Sequence, residues 1–567
     1  MSRERHEGRQ PGDLAAREFL RARDVLLLHR TDLEKAVAEF SWPRPEFFNW
    51  ALDYFDGVST RTDRPALRIV GTGGPETDEL YGYGELSRRS ARLANALRAA
   101  GVRRGDVLLL MLGNRVEVWE TMLAAVKTGA VVVPTYTTAT PAELADRLDR
   151  GEVRYVVAEA ALTDRFAGLP GGWTGFAVGG EAEGWRSYDA LRQAPDVFEP
   201  DGPTRADDPL FRYFTSGTTS KPKLVEHTHT SYPVGHLSGM YWNGVQPGDV
   251  HLNISAPGWA KHAWSSLFVP WNAEATVLAL DAARSGPAAI LDALRTRQVS
   301  TFCAPPTVWR ALAGLGLGER PPALREAVAA GEPLEASLIE RVARDWGISL
   351  RDGYGQTETT GQIGNPPGRP AAPGSMGFPL PGYTVVLVDP ESGTPVADGT
   401  PGEICLDLST APLGVMRGYV GNPGRTAEAL AGGYYHTGDL AVRNADGSLV
   451  YLSRADDMFK SFDHRISPRE LEEALRRHPA VADAAVVPVP DPVGLWAPKA
   501  YVILTPGSPA SAATARDLLG RACAELPPEK WVRSVEFVAS LPRTASGKVR
   551  RAELRERPAG TEYPLDA

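Results

Sequence analysis

The chain has 567 residues, 61 Lys+Arg against 70 Asp+Glu, a formal net charge of −9, and 43% apolar residues. That composition folds into a globular protein of more than one domain, and it excludes a disordered chain and a broadly basic nucleic-acid binder. Glycine (57) and proline (47) are both plentiful, so much of the chain is loop. No run of apolar residues is long enough to cross a membrane, and the charged start from Met1 leads into no apolar segment, so no secretory signal is expected. Cys303, Cys405 and Cys523 lie far apart, which argues against a disulfide framework and fits a reducing cytoplasm.

In chain order, residues 1–40 read as a charged lead-in, irregular or helical, and order begins around Pro43–Trp50. Val107–Leu112 reads as a buried strand, Glu117–Lys127 has helical spacing, and Gly129–Pro134 reads as the next strand. Strand–helix–strand alternation predicts a parallel sheet flanked by helices. The pattern returns with Ala275–Leu280, a helical stretch, and Val299–Ala304. From about 370 to 455, Gly and Pro punctuate short β runs such as Tyr383–Val388 and Glu403–Leu406, which predicts a smaller β-rich subdomain. After Asp456 comes a compact α+β unit. Its expected elements are a helix at Pro468–Arg477, strands at Ala484–Val489 and Lys499–Leu504, a helix at Ala512–Glu525 and a strand at Ser534–Val538. The fold class expected is α/β. A large domain of flanked parallel sheets (41–455) is followed by a small mobile C-terminal domain (456–567).

Residues 213–223 place Thr215, Ser216, Thr218 and Thr219 around Gly217, followed by Ser220, Lys221 and Lys223. Polyphosphate binding needs inward backbone N–H groups, small side chains, hydroxyl donors and positive charge, and this segment supplies them. It lacks the Walker A spacing. The same composition also suits a surface Ser/Thr loop.

Thr215–Lys223 resembles the phosphate loop of the acyl-adenylate-forming superfamily. Further motifs stand in that family's order: Tyr83–Leu86, Ala330–Pro333, Tyr354-Gly355-Gln356-Thr357-Glu358, Tyr435–Leu440, Arg454–Asp457 and Pro542–Lys548. The resemblance covers about residues 45–555. Pro257–Ser266, Val225–His227 and Phe47–Trp50 look like the medium-chain acyl-CoA synthetase branch.

The resemblance implies an ATP-dependent, AMP-forming ligase. A carboxylate attacks the α-phosphorus of ATP, pyrophosphate leaves, and the acyl group passes to the thiol of CoA. The loop from Thr215 to Lys223 would hold the β- and γ-phosphates. Gly331, Glu332 and Pro333, with Gly353, Tyr354, Gly355 and Gln356, would line the adenine side. Thr357 would donate to the α-phosphate and Glu358 would bind Mg²⁺. Asp439 would accept from the ribose hydroxyls, and Arg454 would contact the ribose or phosphates. Lys548 would bridge the substrate carboxylate and the α-phosphate. Asp456 would be the hinge on which the C-terminal domain swings. Phe462, Asp463, His464 and Arg465 would lie along the CoA path, and Trp259, His262 and Trp264 would line the acid pocket. A small carboxylic acid, ATP and CoA are the expected partners, a homodimer is compatible with the chain, and no nucleic acid or membrane span is expected.

Ser220, Ala330 and Asp463 stand where relatives carry glycine. Asp463 adds bulk and negative charge where a polyanionic cofactor would pass. An amine or a carrier thiol as acceptor, or a small oxyanion such as nitrite as substrate, therefore stays open beside CoA ligation. So does a non-catalytic nucleotide-binding relative, which the joint presence of Glu358, Asp439 and Lys548 disfavours.

Overall fold

In the computed structural model of the chain, the described residues are 11–71, 73–215, 222–461, 464–491, 495–543, 549–558 and 560–565. They form two compact units. Of the described residues, the first comprises those within 11–215, 222–385 and 406–435, and the second those within 386–405 and 436–565.

The first unit carries two large sheets. One runs in the order Phe378–Pro379, Gly361–Gly364, Leu350–Gly355, Glu326–Ala330, Thr301–Ala304, Val250–Asn253, Thr276–Ala279, Pro65–Ile69, Glu79–Gly82. Its central pairings are parallel, from Leu350–Gly355 through to Pro65–Ile69, and the strands at both edges are antiparallel. The other sheet has Val107–Met111 between Val131–Pro134 and Val153–Glu159, all parallel. Every residue of Val107–Met111 is buried, as expected for a strand covered on both faces. The helix Val116–Thr128 connects it to Val131–Pro134 and ends on Gly129 in the left-handed region. The expected strand–helix–strand pattern is thus observed, with bounds shifted by one or two residues. Parallel strands with helical crossovers collect their C-terminal ends at one edge, where α/β proteins place ligands.

The lead-in is helical, over Pro11–Leu28 and Leu33–Glu39. It joins the core earlier than the Pro43–Trp50 segment: Phe19 is buried, stacks on Phe48 and packs against Tyr54. A charged helix with one apolar stripe is hard to tell from a solvated one until its partner is known.

A four-stranded sheet follows the order Val385–Val388, Gly402–Asp407, Tyr434–Arg443, Leu449–Arg454. This is the β-rich stretch that the Gly/Pro punctuation predicts. The rest of the second unit packs the helices Pro468–Arg476 and Ala512–Glu525 against the sheet Val481–Asp491, Leu495–Leu504, Ser534–Phe537, Glu562–Pro564. Leu471, Leu475, Val486, Val502, Leu518 and Leu519 form its core. The helix Ala512–Glu525 has its expected bounds because Ser511 caps it, its hydroxyl accepting from the Thr514 N–H. Among the described residues no helix is long and apolar enough to cross a membrane.

Candidate active site

Two antiparallel strands of the first unit, Pro209–Thr215 and Lys223–Thr228, flank the phosphate-loop segment in sequence, with Thr215 opposite Lys223. Ser216, Gly217, Thr218, Thr219, Ser220 and Lys221 lie outside the described residues. Lys223 Nζ stands 4.0 Å from Glu358 Oε1 and over the ring of Tyr419 at 5.2 Å.

Glu358 sits in a turn directly after the strand Leu350–Gly355, at the C-terminal end of a central parallel strand. The turn closes on itself: Thr359 N–H donates to the Gln356 carbonyl, and Gln356 N–H donates to Thr359 Oγ1. Gly355 permits the sharp exit, since a Cβ there would lie 2.4 Å from the Thr360 carbonyl oxygen. Three side chains from distant positions then pin the turn. The Tyr419 hydroxyl donates to Glu358 Oε1 at 3.0 Å. The Tyr435 hydroxyl donates to Gln356 Oε1 at 2.7 Å. His227 Nε2–H donates to the Thr357 carbonyl at 2.7 Å, while its Nδ1 accepts from Ser231 Oγ at 3.0 Å. Burial pushes the His227 imidazole down to about 4, so it is neutral at neutral pH and the donor tautomer is fixed by its two neighbours.

The glycine-loop residues Gly331, Glu332 and Pro333 follow the adjacent parallel strand Glu326–Ala330. Ala330 pairs with Gly353, so this loop and the Tyr354–Glu358 segment leave the sheet side by side. Lys261 Nζ donates to the Ala330 carbonyl at 2.5 Å. Glu332 accepts from Thr307 and pairs with Arg310 at 3.2 Å, so its carboxylate is already engaged.

Of the acid-pocket residues, Trp259 stacks on Tyr136 with centroids 5.0 Å apart. His262 is buried 5.5 Å from the Trp119 ring, and burial pushes it down to about 3. Trp264 stacks on Trp242 at 5.8 Å. Neither ring nitrogen of His262 nor the Trp264 indole nitrogen has a hydrogen-bond partner among the described residues.

In the second unit, Asp439 is buried and held on three sides. Tyr451 hydroxyl donates to its Oδ1 at 3.1 Å, Arg454 Nη1 lies 3.4 Å from its Oδ2, and its own N–H donates to Thr437 Oγ1. The preceding Gly438 has φ +70°, a conformation that favours glycine, and its N–H donates to Glu403 Oε1 at 2.7 Å. Arg454 also reaches the Thr437 carbonyl and pairs with Asp456 at 3.2 Å; these anionic neighbours hold its guanidinium well above the ordinary range. Asp457 pairs with Arg551 at 3.0 Å. Beyond it, Phe459–Ser461 pairs with His464–Ile466, and His464 is exposed. Phe462, Asp463 and Lys548 lie outside the described residues, and so does the side chain of Arg465. Arg543 and Val549 are bridged across the segment that holds Lys548.

The sequence reading left out His227, Tyr419, Tyr435, Tyr451, Lys261 and Glu403 as contributors. Tyr435, His227 and Lys261 stand inside quoted motifs, but each of the six acts on a residue elsewhere in the sequence, so the local pattern does not show what its side chain contacts.

Residues 55–420 match the family model described as AMP-binding enzyme, and residues 470–548 match the AMP-binding enzyme C-terminal domain. The chain belongs to the AMP-binding enzyme family. As a member, it is an AMP-forming ligase. It is 39% identical over 518 residues to 4-hydroxybutyrate–CoA ligase 1 of Metallosphaera sedula, covering 90% of each chain. It is 34% identical over 544 residues to the mitochondrial acyl-coenzyme A synthetase ACSM3 of Homo sapiens, covering 93% of this chain and 92% of that one. Among solved structures it resembles the anthranilate CoA ligase AuaEII in complex with anthranoyl-AMP. The TM-score is 0.80 at 28% identity, covering 90% of this chain and 98% of that one.

Proposed function

We propose that this AMP-binding enzyme activates a carboxylic acid with ATP and passes the acyl group to the thiol of CoA. In the first half-reaction a carboxylate oxygen bonds to the α-phosphorus and the α–β bridging P–O bond breaks. The products are acyl-AMP and pyrophosphate. In the second, the CoA sulfur bonds to the acyl carbonyl carbon, the thiol proton is lost to solvent, and AMP leaves.

The observation that carries this reading is the pinned turn Gln356–Thr359 beside Lys223. Both reactants of the first step are anions, so the site must neutralise charge and hold the groups in line. Lys223, with the Thr215–Lys221 loop, would bind the departing phosphates. Thr357 would donate to the α-phosphate, and His227 fixes that residue's backbone. Glu358 offers a single oriented carboxylate, which suits Mg²⁺ because that ion takes one or two carboxylates and fills its shell with phosphate oxygens and water. When bound, the ion would spread the charge of the phosphates. Tyr354 would face adenine, Asp439 would accept from the ribose hydroxyls with Arg454 beside it, and Lys548 would bridge carboxylate and α-phosphate. Asp456 would serve as the hinge between the two half-reactions.

Two indoles and a neutral imidazole at Trp259, Trp264 and His262 suit an uncharged acyl body, aromatic or medium-chain. The relatives' named substrates, 4-hydroxybutyrate and anthranilate, are short acids with one further polar group. AMP release tests the reading, measured over a panel of aliphatic, hydroxylated and aromatic acids with and without CoA. CoA-dependent turnover with at least one acid is expected. Turnover indifferent to CoA would assign the acyl group to an amine or carrier thiol instead.

A further inference from the structure

The second unit brings together three side chains to which the proposed adenylation chemistry assigns no contact with a reactant, although one of them, Glu403, also supports the ribose motif through the Gly438 N–H. Glu403 and Cys405 are two apart on the strand Gly402–Asp407, so they project from the same face. The neighbouring strand Tyr434–Arg443 supplies His436. Along that strand Tyr435, Thr437 and Asp439 alternate as buried residues, while His436 belongs to the other face and is partly exposed. The cluster therefore lies across the strand from the Asp439 carboxylate.

The donor atoms are close. His436 Nδ1 is 2.9 Å from Glu403 Oε2 and 3.5 Å from Cys405 Sγ, and all three ligand atoms lie within 4.8 Å of one another. A tetrahedral ion about 2.3 Å from sulfur and about 2.0–2.1 Å from nitrogen and oxygen needs donors roughly 3.3–3.6 Å apart. The two distances to His436 Nδ1, 2.9 and 3.5 Å, come within about half an ångström of that spacing, and the Glu403 and Cys405 donors lie within 4.8 Å of each other. Among the described residues no other three His, Cys, Asp or Glu side chains bring their ligand atoms within 4.8 Å of one another.

We propose that Glu403, Cys405 and His436 form a binding site for a divalent transition metal of the Zn²⁺ and Co²⁺ class. The donor set is one sulfur, one imidazole nitrogen and one carboxylate oxygen. A thiolate disfavours Mg²⁺ and Ca²⁺ and suits the borderline-soft ions. Three protein ligands leave a fourth position for water, on the side where His436 is exposed. The site is also pre-organised. Glu403 keeps its Oε1 on the Gly438 N–H, which turns Oε2 towards His436, and Thr437 Oγ1 donates to the Ile404 carbonyl between the two strand ligands. Cys405 and Glu403 are buried, so the ion would be held against two anionic groups shielded from water, and its entry would release the thiol proton.

The test uses the full chain, stripped of metal with a chelator and titrated with Co²⁺. A sulfur-to-cobalt charge-transfer band in the near ultraviolet should rise to saturation at one equivalent and collapse on adding Zn²⁺. C405A should abolish the band, H436Q should weaken it, and C303A should leave it unchanged. X-ray absorption of the zinc-loaded unmodified chain needs no variant, and should show one sulfur at about 2.3 Å with lighter ligands closer in. A band that survives in C405A, or a zinc shell of nitrogen and oxygen alone, would overturn the proposal. No step of this test needs ATP or an acid, so its outcome is independent of the reaction proposed above.

Discussion

His227 links the strand that follows the phosphate loop to the turn that carries Thr357 and Glu358. Its Nε2–H is 2.7 Å from the Thr357 carbonyl, and its side chain is fully buried. Replacing it with Phe keeps the ring and removes both hydrogen bonds. The Thr357 carbonyl then loses its buried donor, at a cost of about 1–3 kcal/mol. If that cost falls on the active conformation of the turn, kcat/KM for ATP drops roughly 5- to 150-fold at about 1.4 kcal/mol per factor of ten. Gln places an amide N–H near the Nε2 position, so H227Q should recover most of the loss. Pyrophosphate–ATP exchange measures the effect, and a denaturant melt separates it from global instability. H227F with wild-type kcat/KM, or H227Q as impaired as H227F, would refute the idea that this hydrogen bond positions the turn.

Y451F removes the hydroxyl that donates to Asp439 Oδ1. It should raise KM for ATP several-fold, in line with about 1 kcal/mol for one hydrogen bond, with kcat little changed in steady-state assays. K548A should stop acyl-AMP formation while still turning preformed acyl-AMP and CoA into acyl-CoA; surviving pyrophosphate exchange would remove Lys548 from its assigned role. Burial depresses His227 and His251 to about 4 and His229 and His262 to about 3. These imidazoles stay neutral in the fold but protonate in the unfolded chain near 6.5, so stability is full above that value. It falls by about 1.4 kcal/mol per pH unit for each as pH drops through 6.5 towards 4. Thermal unfolding followed from pH 7.5 to 5 should show a steep fall in Tm, and a flat profile would contradict the buried neutral state.

The parallel-sheet core was legible because Val107–Met111 and its neighbours are uninterrupted apolar runs of strand length. Helix ends were legible where a cap residue marks them, as Ser511 does. Strand ends were less so: Ala484–Val489 extends to Val481–Asp491, because pairing with Leu495–Leu504 recruits flanking residues of weaker β character. The site was legible as motifs and not as a constellation. Tyr419 and Glu358 are 61 residues apart and His227 and Thr357 are 130 apart, and only folding sets such distances. The Glu403–Cys405–His436 cluster was invisible for the same reason, since two of its members sit in a strand and the third arrives on the neighbouring one. Glycine abundance was a real signal at many positions, Gly355 and Gly438 among them, where the backbone must pass closely or turn left-handed.

The central claim is that acid activation proceeds through an adenylate without help from the acceptor. Exchange of labelled pyrophosphate into ATP, run with each candidate acid and no CoA, tests it most directly. Exchange that appears only when the acid is present, and does not need CoA, is the predicted result. Exchange that is absent with every acid tested, or that requires CoA, would contradict it.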